Sequence, residues 1–213
     1  MRKRYFLFAV VVLILLSIAL TLPNAYAKTK KPPPDYMPMA VGYWWKYKMV
    51  ENKQEFTIKV IGKEKVGDVM CYKLETLASN GKVMMVEYYS KQPGKVMWHR
   101  EKYVMAKQTV DFKPLRTFIL NPLYKGAKWS WKGKGMMDVD IEESAIVTGF
   151  EKVEVPAGKF GTAKVDIKII QGGQEVPKTY WYAPNIGMVK SLMKTTVGDK
   201  NVVLIKYNLK RKK

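Results

Sequence analysis

The chain has 213 residues, 38 Lys or Arg against 18 Asp or Glu, a net charge of +20, and 47% hydrophobic residues, enough for one domain with a proper core. Its one cysteine, Cys71, excludes an internal disulfide. Its one histidine, His99, leaves a His-based metal site and most Ser–His or Cys–His nucleophile schemes without parts.

Arg2, Lys3 and Arg4 precede an 18-residue apolar run from Tyr5 to Leu22, then Pro23 and the small-residue site Ala25-Tyr26-Ala27. That order predicts a signal peptide over residues 1–27, cut after Ala27. Left uncut, the run is near the lower limit for a membrane tether. The expected location is therefore the periplasm or cell envelope, with inner-membrane tethering if the segment stays. Beyond residue 27 the chain keeps 35 of the 38 basic residues and all 18 acidic ones, a balance of +17. Such an excess attracts anionic head groups or acidic glycans, or simply keeps the sheet surface solvated. Nucleic acid is a poor partner for a chain sent out of the cytoplasm.

Residues 28–39 are rich in Pro and Lys and read as an extended leader. A single β domain is expected over 40–209, followed by a basic tail at 210–213. Period-2 alternation predicts strands near 43–50, 54–62, 69–78, 83–91, 95–101, 104–112, 128–133, 137–149, 162–171, 177–182, 187–196 and 201–209. Phe56, Ile58 and Val60 share one face, as do Val165, Ile167 and Ile169. Val203, Ile205, Tyr207 and Leu209 read as a last inward stripe. Tyr72 and Leu74 read as core, which turns Cys71 to the opposite face. Glu142 and Glu143 point to opposite faces, and Asp138 and Asp140 to the wet one. Turn signals such as Asn80-Gly81, Pro93-Gly94 and Gly172-Gly173 separate the strands. From Pro114 to Leu123 the prolines suggest a short helical turn or an ordered linker. The fold class is all-β: a curved antiparallel sheet, half-barrel or clam, with few or no helices outside the signal segment.

The two halves are similar. GYWWKY at Gly42, VIGKEKV at Val60 and YYSKQPGKVM at Tyr88 match GAKWSW at Gly126, VTGFEKV at Val147 and WYAPNIGMVK at Trp181. Gly62 and Gly149 lie 87 residues apart, as do Glu64 and Glu151. Such a period predicts one supersecondary unit built twice. The first copy spans about 40–112, a linker about 113–124, and the second about 125–209.

The second copy resembles the TapB-like family of exported bacterial proteins, a domain of unknown function. The residues that carry the likeness are Gly126 and Trp129, then Gly149, Glu151 and Val153, then Val155 to Phe160, then Ala183, Pro184, Gly187, Val189 and Lys190. The first copy matches more loosely and lacks the Pro-Ala-Gly corner. The resemblance implies a sheet curved around an apolar interior, similar to the half-barrel of the lipoprotein-localisation proteins LolA and LolB. It implies no catalytic residues.

No catalytic, metal or cofactor site is expected, and no ligand-binding residue is singled out. Glu64 and Glu151 read as acceptors of turn hydrogen bonds. Trp44, Trp45, Trp129, Trp131, Trp181, Tyr88, Tyr89, Tyr180 and Tyr182 fall in strands, with Met84, Met85, Met97, Met105, Met188 and Met193 among them. They suit either an ordinary core or a concave surface that holds an acyl chain or peptide. The expected function is a non-catalytic envelope protein that binds an amphipathic or anionic lipid-like ligand. The alternative is a structural or assembly component of an envelope protein complex.

Overall fold

The computed structural model describes residues 32–210; the signal segment and the last three residues of the basic tail lie outside them. Twelve strands follow in chain order: β1 (Trp44–Met49), β2 (Glu55–Val66), β3 (Val69–Ala78), β4 (Val83–Gln92), β5 (Lys95–Tyr103), β6 (Gln108–Leu120), β7 (Lys128–Lys134), β8 (Asp140–Val155), β9 (Gly158–Gln171), β10 (Gln174–Ala183), β11 (Gly187–Met193) and β12 (Lys200–Asn208). A single 3-10 turn at Met136–Asp138 is the one helical element among the described residues. All twelve strands form one antiparallel sheet, ordered β6-β5-β4-β3-β2-β1-β12-β11-β10-β9-β8-β7. Successive strands pair except β6 and β7, and β1 pairs with β12, so the free edges are β6 and β7.

The sheet curls until those edges meet. Trp131 Nε1 on β7 donates to Pro114 O on β6 at 2.7 Å, Arg116 on β6 bonds Glu143 on β8, and Val110, Phe112 and Trp131 pack as one cluster. Side chains therefore close the seam where no backbone ladder does. The result is a nearly closed barrel, curved further than the expected half-barrel.

Alternation puts Phe56, Ile58, Val165, Ile167 and Ile169 on the inner face as expected, with Val60, Val165 and Leu204 fully buried. Burying each of these side chains contributes about 1.5–3 kcal/mol. Bulges shift the alternation at defined points. One lies between Val60 and Gly62 on β2 and one between Val147 and Gly149 on β8. Beside them, Gly42 N donates to Val60 O and Gly126 N to Val147 O, at 2.9 and 2.8 Å. Both glycines need positive φ, at 93° and 82°, which favours a residue without Cβ.

The β12 stripe corrects the expectation. Val202 and Leu204 face inward, not Val203 and Ile205, because a register shift opposite Lys46 and Tyr47 changes the alternation before Tyr207. The expected linker at 113–124 is also strand as far as Leu120: β6 passes the cis Lys113–Pro114 bond through an irregular stretch and resumes pairing, with Arg116 opposite Trp98.

Antiparallel alternation puts the β4–β5, β6–β7 and β10–β11 connections at one end. Part of the segment read as a leader fills that end. Tyr36, Pro38, Met39 and Ala40 are buried there. Asp35 accepts from Asn121 Nδ2 at 2.7 Å and pairs with Lys91, and its backbone N–H donates to Asn185 Oδ1 at 3.0 Å. Tyr36 N donates to Asn121 Oδ1 at 2.9 Å. These contacts tie the plug to both halves of the sheet.

Candidate functional site

Above the plug the barrel holds a cavity of about 450 Å³, within the range of small-molecule sites. Its walls are largely apolar: Trp45, Leu74, Phe118, Ile167 and Ile169 among others. Lining residues beside the plug, such as Trp45 and Tyr182, are buried. Those near the opposite hairpins, such as Phe56, Met85, Tyr103 and Met136, are only partly covered. The mouth therefore faces the end away from the plug.

One wall is polar. Glu87 on β4 and Glu101 on β5 are direct cross-strand partners, 7% and 5% exposed. Inward alternation of Met85, Glu87 and Tyr89 sets the first, and the register shift at Trp98 and Arg100 sets the second. Tyr89 Oη donates to Glu87 Oε1 at 2.7 Å, and Tyr103 Oη donates to Glu101 Oε1. Burial pushes the Glu87 carboxyl up to about 7, against the help of the Tyr89 hydrogen bond. Burial raises Glu101 as well. It also raises the phenols of Tyr89 and Tyr103, which therefore stay protonated donors.

Arg116 completes this wall. Its guanidinium lies 4.6 Å from the ring centre of Trp98, 5.2 Å from Phe112 and 5.1 Å from Trp131, and it pairs with Glu143. Aromatic faces and a carboxylate together make a buried guanidinium tolerable. Arg116 Nε and Trp98 Nε1 have no protein partner.

Several residues singled out from the sequence lie elsewhere. Glu64 and Glu151 sit on the outer face and do not bond turns. Glu64 accepts from Tyr88 Oη at 3.2 Å and from Lys73 Nζ at 2.8 Å, and Glu151 accepts from Trp181 Nε1. The Lys73 bond holds the Glu64 carboxyl below its usual range. Cys71 faces outward as expected but is fully covered, packed with Val86 and Tyr88, and burial pushes its thiol up to about 11. His99 Nε2 lies 2.8 Å from Ser90 Oγ. Both are buried in the wall and neither lines the cavity. Burial lowers the His99 pKa. Glu142 pairs with Lys132 outside, whereas Glu143 points in to Arg116. Asp140 bridges Lys134 at 3.0 Å. No group of acidic, His or Cys side chains among the described residues has the arrangement of a metal site. Tyr89, Tyr180, Tyr182, Trp45, Met85 and Met188 line the cavity, whereas Tyr88 and Trp181 do not.

The polar wall was not singled out from the sequence. Glu87 carried a usable signal, a carboxylate at an inward position between Met85 and Tyr89. Glu101 and Arg116 carried none, because bulges set their faces.

Fold and cavity together define a single-sheet β-barrel, plugged at one end, with an apolar interior. Residues 125–195 match the model of the DUF3108-like family. That stretch contains every residue that carries the TapB-like resemblance, but the match is to the DUF3108-like model and bears out neither the TapB-like nor the LolA-like reading. A search of curated proteins finds no match. Among solved structures, a candidate lipoprotein from Parabacteroides distasonis is 13% identical, with a TM-score of 0.51 over 84% of this chain and all of its own. A candidate exported protein with a YmcC-like fold from Bacteroides fragilis is 15% identical, with a TM-score of 0.47 over 82% of this chain and 99% of its own. At such identity the first likeness speaks for the fold alone.

Proposed function

We propose that the chain is an exported, non-catalytic envelope protein that holds an amphipathic molecule in its barrel and meets anionic lipid at its mouth. The observation that carries this reading is the apolar cavity itself, with a partly open end opposite the plug. An interior this rich in aromatic and aliphatic side chains favours an acyl chain or similar apolar body. The Ser90–His99 pair offers no nucleophile to such a ligand, being sealed in the wall away from the cavity.

The mouth supports the second half of the reading. Its hairpins carry the three most exposed large apolar side chains among the described residues, Met105 at 83%, Met137 at 75% and Val197 at 88%. Exposed Lys53, Lys82, Lys107, Lys194 and Lys200 stand on the same hairpins. Acids also stand there: Glu51 bonds Asn201, Asp138 and Asp140 share Lys134, and Asp199 is exposed. Apolar tips among lysines suit an anionic bilayer surface, each lysine near it contributing about 1 kcal/mol.

Co-sedimentation with phospholipid vesicles tests this. Binding is expected to vesicles that contain anionic lipid, to fall as salt rises, and to weaken in Met105→Asp. Equal binding to neutral and anionic vesicles removes the electrostatic half of the reading.

A further inference from the structure

We infer that the cavity selects an amphiphile with a cationic head, an amine rather than a carboxylate or phosphate, seated against Glu87 and Glu101. This rests on the reading of the barrel as a ligand carrier and names the ligand class. The lining contains three carboxyls, Glu87, Glu101 and Glu143, but two cations, Arg116 and Lys178. Arg116 is committed to Glu143 and to three aromatic rings. Arg116 also acts at a distance on Glu101 and Glu87, and Lys178 on Glu101. Among the described residues Glu87 has no ion-pair partner, and it is buried directly opposite a second carboxyl. A buried acid in that position holds its proton more tightly than a solvated one, and an arriving counter-charge favours its release.

The geometry leaves room for one. Glu87 and Glu101 each accept from a tyrosine through one oxygen. Both carboxyl residues line the cavity, and among the described residues each has this one side-chain hydrogen bond. Two carboxyls on adjacent strands, each with one oxygen held by a phenol, form a cradle for an ammonium group. Apolar walls of Leu74, Phe118, Ile167 and Ile169 then line the path of the tail. An anionic head in the same place adds a negative charge beside Glu101 with no free cation to answer it. The positive charge of the outer surface draws anions to the mouth, while the interior refuses their head groups.

The test is displacement of N-phenyl-1-naphthylamine, a neutral fluorescent probe, from the full exported chain at pH 7.5 and moderate salt. Decylamine, decanol and decanoate share one chain length and differ only in the head. Decylamine is expected to displace the probe roughly tenfold better than decanol, the scale of one charge-assisted bond, and decanoate worst of the three. In Glu87→Gln the advantage of amine over alcohol is expected to fall about tenfold. Glu101→Gln gives the same reading should the first variant not fold, as judged by β-sheet circular dichroism. If the probe binds but decanoate displaces it as well as decylamine, or the ratio is unchanged in both variants, the head-group assignment is overturned. If the probe does not bind at all, the carrier reading falls, and this inference with it.

Discussion

Glu87 couples protonation to folding. Its folded pKa, about 7, lies above the ordinary carboxyl value of 4.5, so the native state holds the proton more tightly than the unfolded chain. Its contribution is therefore full below about pH 4.5 and is lost as pH rises through 7, a change on the order of 3 kcal/mol. Burial raises Glu101 in the same direction, whereas His99, lowered by burial, works oppositely as pH rises through its range. The difference between wild type and Glu87→Gln isolates the first term. Urea unfolding at pH 5 and pH 8 is expected to show the variant gaining relative stability at the higher pH; a constant difference would contradict the buried, raised carboxyl. At this scale the sequence was readable where alternation was regular. It placed Glu143 opposite in face to Glu142 and turned Cys71 away from Leu74. It failed where a bulge intervened, at Leu204, Glu101 and Arg116, because one extra residue reverses every side chain beyond it.

At the scale of elements, the β6–β7 seam depends on side chains. Glu143→Ala leaves the Arg116 guanidinium without its carboxylate at a site where only 12% of the arginine side chain is exposed. A loss of about 3–5 kcal/mol is expected by urea unfolding. The double variant Arg116→Met with Glu143→Leu is expected to recover much of that loss, and failure to do so would mean that the pair does more than fill space. The plug offers a second test. Asp35→Ala removes the acceptor for Asn121 and the partner of Lys91, and is expected to cost about 1–3 kcal/mol. Native-state hydrogen exchange should then report faster exchange at the Asn121 and Asn185 amides than in strands β2 and β9. Neither seam nor plug was legible beforehand. Local pattern announces a strand, but not which two strands stay unpaired, and a Pro-rich segment gives no sign that Tyr36 and Met39 will cap a barrel.

At the scale of the molecule, the strand count and the all-antiparallel meander followed from period-2 alternation and turn residues. Closure did not, because it depends on the accumulated twist of twelve strands and on the β1–β12 pairing of residues about 160 positions apart. The same closure turns scattered Trp, Tyr and Met residues into one lining. The measurement that reaches the central claim most directly is a titration of N-phenyl-1-naphthylamine into the wild-type chain and into Met85→Trp, which fills the cavity from its wall. Saturable binding of one probe per barrel by the wild type, with marked weakening in the variant, is the predicted result. No saturable binding, or equal binding by both, would contradict a cavity open to ligand.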